Sequence, residues 1–364
     1  MRIAVLCPHY GYIDRGTENA TKDTNIYLQR RGYNTRVLGL GGKADIVIDG
    51  FRKDFGPGKY SDKFFEKTML GGFSRKFLGF NPNMEDIVFS WKAKEHLKHI
   101  VDRYDLLWSS GEYWCGKTVV DLGKKHRVPS LLFFGGGESA MMVQEAKMNP
   151  SIFIVMTPVM KEWLKKKVPN CNVHTVVGGV DLDFFRPTIP PFDLGDVERP
   201  VVLSTSAFIE SKRLDLVINA MKKLDKGTLV MTSDGPQRRK LCKMGQNLLG
   251  DRFKYLGHRP FEDIPRLYTA SDVLVLASKK EPYGRTLLEA MACNIPVIAK
   301  KDPTREWMVG KGGLLLKSMK DLSEGLKTVT DLDWDYEPRK QAEKFSWNKS
   351  VDMYEEAFRS IGLQ

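Results

Sequence analysis

The sequence lacks both a long apolar run and an ordered set of cysteines. None of its apolar stretches approaches the roughly 18 residues that a membrane-spanning helix needs, and the stretch in residues 1–9 is too short for a signal peptide. The five cysteines are scattered, odd in number and without a Cys-x-x-Cys pair. This usage fits neither a disulfide framework nor a zinc site, so we expect a cytoplasmic protein in a reducing compartment.

The composition is that of a globular protein with a basic surplus. The length of 364 residues, with 42% hydrophobic and 28% charged residues, indicates about two domains. Lys and Arg number 57 against 45 Asp and Glu, which gives a net charge of +12. The surplus fits a nucleic acid, an anionic membrane or phosphorylated small molecules, and it also fits solubility alone, because net charge does not choose between partners.

Short apolar runs alternate with amphipathic helical stretches along nearly the whole chain. This alternation predicts an α/β fold of two doubly wound, Rossmann-like domains with parallel sheets, facing each other across a cleft. The proline-rich stretch 186–200 interrupts it and predicts a linker between domains at 1–185 and 201–345. A final helix within 346–364, grouped with the first domain, is predicted to pack back across both domains through one apolar face, where Trp347, Val351, Tyr354 and Phe358 recur at helical spacing. The predicted strands are 3–7, 35–40, 106–109, 131–134, 153–156, 173–177, 201–205, 228–232, 253–256, 273–277, 296–299 and 313–316. The predicted helices are 17–31, 86–102, 117–126, 159–167, 212–224, 236–248, 262–269, 284–293 and 347–361.

The most informative stretch, 278–299, predicts a strand end, a loop, a helix and a tight turn into the next strand. Gly284 lets the backbone pass close to a ligand where the helix begins, and a helix N-terminus suits a phosphate. Glu289, about one turn into the helix, can accept hydrogen bonds from a ribose diol. Glu281 lies in the loop, where a sugar attached to the phosphate would lie. Taken singly, each glutamate is equally typical of an ordinary helix start.

Taken together, this block resembles the retaining glycosyltransferases of family 4, which have the two-domain GT-B fold with a C-terminal crossover helix and a Glu-x7-Glu motif. The matching residues are Glu281, Tyr283, Gly284, Glu289, Ala290, Met291, Ala292, Pro296 and Val297. Asn294 replaces the usual glycine at the turn. The resemblance implies that Glu289 contacts the donor ribose. It also implies that the loop holds the donor sugar and phosphates through Glu281, Tyr283, Gly284, Arg285 and Thr286.

Other segments agree with this family in order and spacing. They are 177–187 at the interdomain crossing, the 233–236 turn with Gly235, the 255–259 segment with Gly257 and His258, and the 15–18 loop with Gly16. Two departures stand beside them. Lys212 fits the lysine that clamps the donor diphosphate, but Ala207 stands where relatives have an arginine, and Arg213 could compensate. The usual histidine after the strand at 131–134 is absent, and Glu138 is the nearest polar residue.

The resemblance implies a retaining hexosyltransferase that moves a sugar from a nucleotide-diphosphate-sugar donor to a hydroxyl of a glycan or lipid-linked acceptor. Lys212, Arg213 and loop amides would stabilise the departing diphosphate, with Glu281 beside the donor sugar. The acceptor side would include Gly16, His9, Glu112 and Glu138. No metal and no cofactor is expected, because the Asp-x-Asp and His pairs of the chain do not form a convincing ligand set.

Three alternatives remain open at this stage. Residues 111–118 (Gly-Glu-Tyr-Trp-Cys-Gly-Lys-Thr) match the P-loop of nucleoside triphosphatases, although Tyr113 and Trp114 are bulky for a loop that wraps a phosphate. The departures at Ala207 and at the missing histidine allow a nucleotide-sugar-binding homologue with little transferase activity. The basic charge allows a nucleic-acid-binding protein, although we expect no nucleic acid partner.

Two basic segments with large apolar residues predict contact with an anionic membrane, which would make the protein peripheral on the inner membrane face. They are 59–80 and 160–167, the second with Trp163 beside a run of lysines. Basic residues near an anionic surface contribute roughly 1 kcal/mol each. The alternative is that the apolar residues belong to ordinary helices and that the lysines are only solvated.

Overall fold

The structure is a computed structural model that describes residues 1–10, 16–41, 43–48, 84–111, 113–279 and 281–363. Contacts divide the chain into two compact units. The first unit comprises Met1–Gly178 together with Trp347–Gln364, and the second comprises Gly179–Ser346. The proline-rich stretch 186–200 therefore lies within the second unit.

In its described part, the first unit is built on a parallel sheet of seven strands with helices between them. The strands pair in the order β3-β2-β1-β4-β5-β6-β7. Every residue of β4, β5 and β6 is buried, as in a parallel sheet covered on both faces. The strands are β1 (Arg2–Leu6), β2 (Asn34–Gly39), β3 (Ile46–Val47), β4 (Leu106–Ser110), β5 (Ser130–Phe134), β6 (Ile152–Val155) and β7 (Val173–Thr175). The helices of the same region are α1 (Gly16–Arg30), α2 (Met84–Leu97), α3 (Tyr113–His126), α4 (Ala140–Lys147) and α5 (Pro158–Lys167).

The second unit repeats this architecture with a parallel sheet of six strands in the order β10-β9-β8-β11-β12-β13. Its apolar core includes Val202, Leu229 and Val275 from three neighbouring strands. The strands are β8 (Val201–Ser204), β9 (Thr228–Met231), β10 (Phe253–Tyr255), β11 (Val273–Leu276), β12 (Val297–Lys300) and β13 (Gly313–Leu316). The helices are α6 (Leu214–Lys222), α7 (Arg238–Leu249), α8 (Ile264–Thr269), α9 (Arg285–Ala292), α10 (Pro303–Val309), α11 (Leu322–Asp331) and α12 (Glu337–Ala342).

The last helix, α13 (Trp347–Arg359), belongs to the first unit although it follows the second in sequence. The Trp347 ring stacks on Tyr27 of α1 with ring centroids 5.6 Å apart. The Tyr354 ring lies 5.1 Å from that of Trp108 in β4, measured between centroids. The apolar face predicted from the spacing of these residues is thus the buried face of the helix.

The structure adds elements that the sequence pattern did not indicate. The helices α4, α10, α11 and α12 and the two-residue strand β3 were not predicted. Helix α3 begins at Tyr113, four residues before the predicted start at Lys117. Among the described helices, none has the length and apolar character that crossing a bilayer requires.

Candidate functional site

The residues predicted to bind the donor converge at the point where the strand order of the second sheet reverses. Strands β8 and β11 pair directly, with Val202 opposite Val273, so the loops that follow them leave the same edge of the sheet side by side. The amide of Lys279 in one loop donates a hydrogen bond of 2.9 Å to the carbonyl of Ser211 in the other. Ligands of doubly wound folds bind at this kind of position.

Lys212 and Glu281, 69 residues apart in sequence, form an ion pair between these two loops. The Lys212 Nζ donates to Glu281 Oε2 over 2.5 Å, and the same oxygen accepts a hydrogen bond of 3.1 Å from the Ser278 hydroxyl. The two charged side chains are only 23% and 15% exposed. Lys212 and Glu281, both predicted as site residues, are therefore one cluster in the structure, with Ser278 as a third member that the sequence did not indicate.

Helix α9 begins beside this cluster. Gly284 caps it with φ = +97°, in the left-handed region that favours glycine, and a Cβ there would come within 3.3 Å of Leu287 Cδ1. The first amides of a helix, here from Arg285 and Thr286 onward, have no intrahelical acceptor and carry the positive end of the helix dipole. This end of the helix therefore suits a phosphate group. Tyr283, just before it, is buried.

Glu289 lies one turn into α9 with its carboxylate largely buried. Its Oε2 accepts a hydrogen bond of 2.9 Å from the hydroxyl of Tyr268 in α8, and its Oε1 lies 3.9 Å from Arg285 Nε. Burial, together with the charge of Glu289, raises the pKa of the Tyr268 hydroxyl well above its usual value, so the phenol stays protonated and donates. Sequence reasoning missed Tyr268, because its role depends on packing between α8 and α9 and leaves no motif.

The turns after β9 and β10 lie at the same edge of the sheet. A Cβ at Gly235, where φ is +154°, would come within 2.7 Å of the Phe208 carbonyl oxygen, so only glycine lets this turn lie against the loop after β8. The Phe208 amide donates to the carbonyl of Asp234 over 2.9 Å. The Gly257 carbonyl accepts from the Ser233 amide over 2.9 Å, and His258 follows with its side chain exposed.

Arg213, which was also predicted to stabilise the diphosphate, is paired with Asp215 in the structure. It adopts φ = +50° directly after Lys212 at the start of α6. Its Nε lies 3.3 Å from Asp215 Oδ1, and its Nη2 lies 3.4 Å from Asp215 Oδ2. In this structure the guanidinium is thus held by a carboxylate of its own helix, while Lys212 is held by the loop after β11.

The predicted acceptor-side residues lie in the first unit. His9 follows β1 and is buried, and its Nε2 lies 3.4 Å from Oδ1 of Asp86 in α2, which is 1% exposed. Gly16 is the first residue of α1, and Glu138 lies exposed in the segment after β5. Glu112 is outside the described residues.

The P-loop interpretation is wrong. From Tyr113 onward the pattern is helical, so the residues that would wrap a phosphate form the first turns of α3 instead of a loop. The Lys117 Nζ pairs with Asp121 Oδ2 over 3.0 Å along the same helix face. Cys115 and Thr118 are buried. Together with the bulky side chains of Tyr113 and Trp114, this favours a packed helix over a phosphate-binding loop.

Other predicted features concern metals and membranes. Within the described ranges, His, Cys, Asp and Glu do not gather in any group of three or more that could hold a metal ion. The basic segment 59–80 lies outside the described residues. The second basic segment forms most of α5, where Met160 and Leu164 enter the core, Trp163 is half-buried and Lys165–Lys167 are exposed.

Comparison with known proteins places this site in a family context. Residues 186–348 match the family described as Glycosyl transferases group 1. The chain is 27% identical over 192 residues to a sulfoquinovosyl transferase of Arabidopsis thaliana, a match that covers 48% of this chain and 37% of that protein. The chain spans little more than a third of the length of this and similar curated relatives.

Solved structures match over the whole chain. Sucrose-phosphate synthase from Thermosynechococcus elongatus superposes with a TM-score of 0.75 at 19% identity, covering 99% of both chains. HepE of Anabaena in complex with UDP and glucose superposes with a TM-score of 0.74 at 18% identity, covering 99% of this chain and 100% of that one. At this level of identity the likeness concerns the fold.

Proposed function

Residues 186–348 belong to the group 1 glycosyltransferases and the chain has the GT-B fold, and from this premise we propose that it transfers a sugar from a nucleotide-diphosphate-sugar to an acceptor hydroxyl. The resemblance to family 4 and the fold that it implies are confirmed. The observation that carries the proposal is the cluster of Lys212 and Glu281 at the switch point, beside the start of α9.

This cluster is suited to stabilise the leaving diphosphate. Negative charge grows on the diphosphate as the glycosidic bond breaks, and preorganised cations and amides are commonly the largest source of catalysis in such a step. Lys212 supplies the cation, and the first amides of α9 supply the helix terminus. Because Glu281 is paired with Lys212 in this structure, a bound donor would share or displace this ion pair.

We assign the ribose of the donor to Glu289. Tyr268 holds one of its oxygens, which fixes the side chain, and the burial of the carboxylate makes an unpaired hydroxyl beside it costly. We further propose transfer with retention, in which the acceptor attacks on the face that the leaving group vacates and a leaving phosphate oxygen takes the acceptor proton. Lys212 and the helix terminus perform the electrostatic task of a metal, so transfer is expected to persist in EDTA.

The acceptor is proposed to be a glycan or a lipid-linked molecule handled by the first unit, where His9 and Glu138 lie at the carboxyl ends of β1 and β5. Association with an anionic membrane from the inner face is part of this proposal. Its support is the exposed lysine run of α5 and the composition of 59–80.

The proposal is tested by a thermal-shift panel of UDP-, GDP-, ADP-, dTDP- and CMP-sugars, followed by turnover of the donor that stabilises the protein. UDP-glucose is tried first, since the HepE structure holds UDP and glucose. Lys212→Ala should lower kcat about 100-fold with little change in KM, because the charge matters most in the transition state. Lys222→Ala, at an exposed lysine ending α6, is the matched control.

Two results would contradict the proposal. Wild-type kcat in Lys212→Ala would remove the leaving-group role. Donor binding without any turnover would favour the nucleotide-sugar-binding homologue.

A further inference from the structure

The first unit carries an open hollow of about 450 Å³ at the carboxyl edge of its sheet. It lies between the segment after β5 and the outer face of α5. Its lining residues are Glu138, Pro158, Val159, Glu162, Trp163 and Lys166. The volume falls in the range of small-molecule sites.

The local sequence builds this face of α5. Thr157 caps the helix by accepting a hydrogen bond of 3.1 Å from the Met160 amide, and Pro158 occupies its first turn. Met160 and Leu164 turn into the core, so positions 159, 162, 163 and 166, at helical spacing, share the opposite face. Trp163 packs partly against the core, which holds its ring in place.

The hollow is bordered by three charged side chains, those of Glu138, Glu162 and Lys166. Glu162 and Lys166 stand four residues apart, a spacing that commonly gives an ion pair on a helix. Within the described part of the chain, neither of these two side chains nor Glu138 has an ion-pair or hydrogen-bond partner. Two carboxylates and one ammonium group therefore border a mostly apolar surface. These three groups are available to form hydrogen bonds with a ligand.

This combination fits a sugar ring better than an anion or an acyl chain. One face of a pyranose is made of C–H groups and packs on an indole ring, while its hydroxyls donate to carboxylates and accept from an ammonium group. Two carboxylates against one lysine disfavour an anionic ligand. An acyl chain would leave all three charged groups without partners.

We propose that this hollow is a subsite for a neutral hexopyranose of the acceptor, an inference that rests on the proposed transferase function. The order of the strands gives its distance from His9, which follows β1. Strands β5 and β6, which precede the lining segments, are the second and third strands from β1, about 10–14 Å away at the usual strand spacing. The acceptor therefore carries at least one sugar ring beyond the ring that would lie at His9, so it is an oligosaccharide or a glycoside rather than a simple alcohol.

The test uses methyl α-D-glucopyranoside, methyl α-D-galactopyranoside and methyl α-D-mannopyranoside as probes in saturation-transfer NMR. At least one should bind the wild-type chain, with saturation strongest at its ring C–H protons, and saturating nucleotide should leave the signal unchanged. Trp163→Ala should weaken binding roughly tenfold, the loss expected for an aromatic contact, whereas Trp163→Phe should keep most of it. Lys165→Ala, at an exposed lysine of the same helix outside the lining, is the matched control.

The outcomes separate this inference from the proposed function, because the probes need no donor. Circular dichroism and thermal unfolding without ligand establish that each variant is folded. Glycoside binding that is absent from the wild type, or unchanged in Trp163→Ala, overturns the subsite. Binding of octyl glucoside micelles or anionic vesicles without binding of the methyl glycosides overturns the sugar subsite in favour of a lipid-binding site. Absence of donor turnover in the wild type, with glycoside binding intact, overturns the transferase proposal and leaves the hollow as a sugar-binding site without a transfer reaction.

Discussion

At the scale of single residues, the ion pair of Lys212 with Glu281 and the hydrogen bond of Tyr268 with Glu289 place two different demands on a donor. The first is a charge that, in the proposed function, shares or exchanges its partner when the donor diphosphate binds. The second is a carboxylate that is already held by the protein and needs no rearrangement. Binding of the nucleoside should therefore depend on Glu289, while the rate should depend on Lys212.

Glu289→Ala is expected to weaken donor binding by about 1–3 kcal/mol, because ribose hydroxyls would be left without a partner in a buried place. Isothermal titration with the stabilising nucleotide-sugar measures the change. Glu324→Ala, on an exposed helix face, serves as the control. An intact variant with wild-type donor affinity would remove Glu289 from the ribose site.

Ser233 occupies a strained backbone position. Its φ of +100° lies where a residue with a Cβ is disfavoured, and its amide and carbonyl are both hydrogen-bonded, to Gly257 and Tyr255. Ser233→Gly should raise the free energy of unfolding by about 1 kcal/mol, since relief of the strain exceeds the added entropy of the unfolded chain. Urea unfolding decides this, with Ser233→Ala as a control that keeps the Cβ and should bring no gain.

At the scale of elements, the last helix meets a titratable group of the first sheet. His174 in β7 has its Nε2 3.2 Å from the hydroxyl of Ser360, just after α13, and 3.1 Å from Asn172 Oδ1. Burial lowers the pKa of His174, the charges of Lys161 and Lys165 lower it further, and Glu356 opposes them. The neutral imidazole is thus the form that fits the folded state.

The stability of the protein should therefore depend on pH through His174. A histidine whose pKa is lower when folded than when unfolded binds its proton more readily in the unfolded chain, so its contribution is present above the unfolded pKa near 6.5. This contribution is lost as the pH falls from there through the folded pKa. Urea unfolding at pH 7.5 and pH 5.0 should show a smaller loss of stability in His174→Gln than in the wild type. Equal losses would contradict the assignment.

Elements with a strong apolar period could be predicted from sequence, and elements without one could not. The strand predicted at 201–205 is observed at Val201–Ser204, because a fully buried parallel strand is a continuous apolar run. Helices α10 and α12 were missed because each is short and has a proline in its first turn, a residue that also signals a break. Helix α3 was predicted to start late because Tyr113 and Trp114 follow a glycine that suggested a loop.

The same distinction holds for the candidate site. Glu281, Gly284 and Glu289 could be recognised because their spacing within one loop and helix is a local property. The bond between Lys212 and Glu281 is set by the pairing of β8 with β11, and the contact of Tyr268 with Glu289 is set by helix packing. Such contacts follow from tertiary structure, which a local pattern does not contain.

At the scale of the whole molecule, the basic surplus should have a measurable effect on membranes. Vesicles containing anionic lipid are expected to co-sediment the protein, more weakly as salt screens the charge, whereas neutral vesicles are not. Lys165→Glu with Lys167→Glu should reduce this binding, because both lysines are exposed at the end of α5. Equal binding to neutral and anionic vesicles, or none to either, would leave only an acceptor in solution.

The place of α13 determines the order in which the protein can be completed during synthesis. The first unit is begun first, yet Trp347 and Tyr354, which cover Tyr27 and Trp108, emerge from the ribosome only after every strand of the second unit. The second unit can therefore finish folding while the first still waits for its last helix. A nascent or truncated chain that stops before Trp347 would keep both sheets but expose an aromatic surface of its N-terminal half to chaperones and proteases.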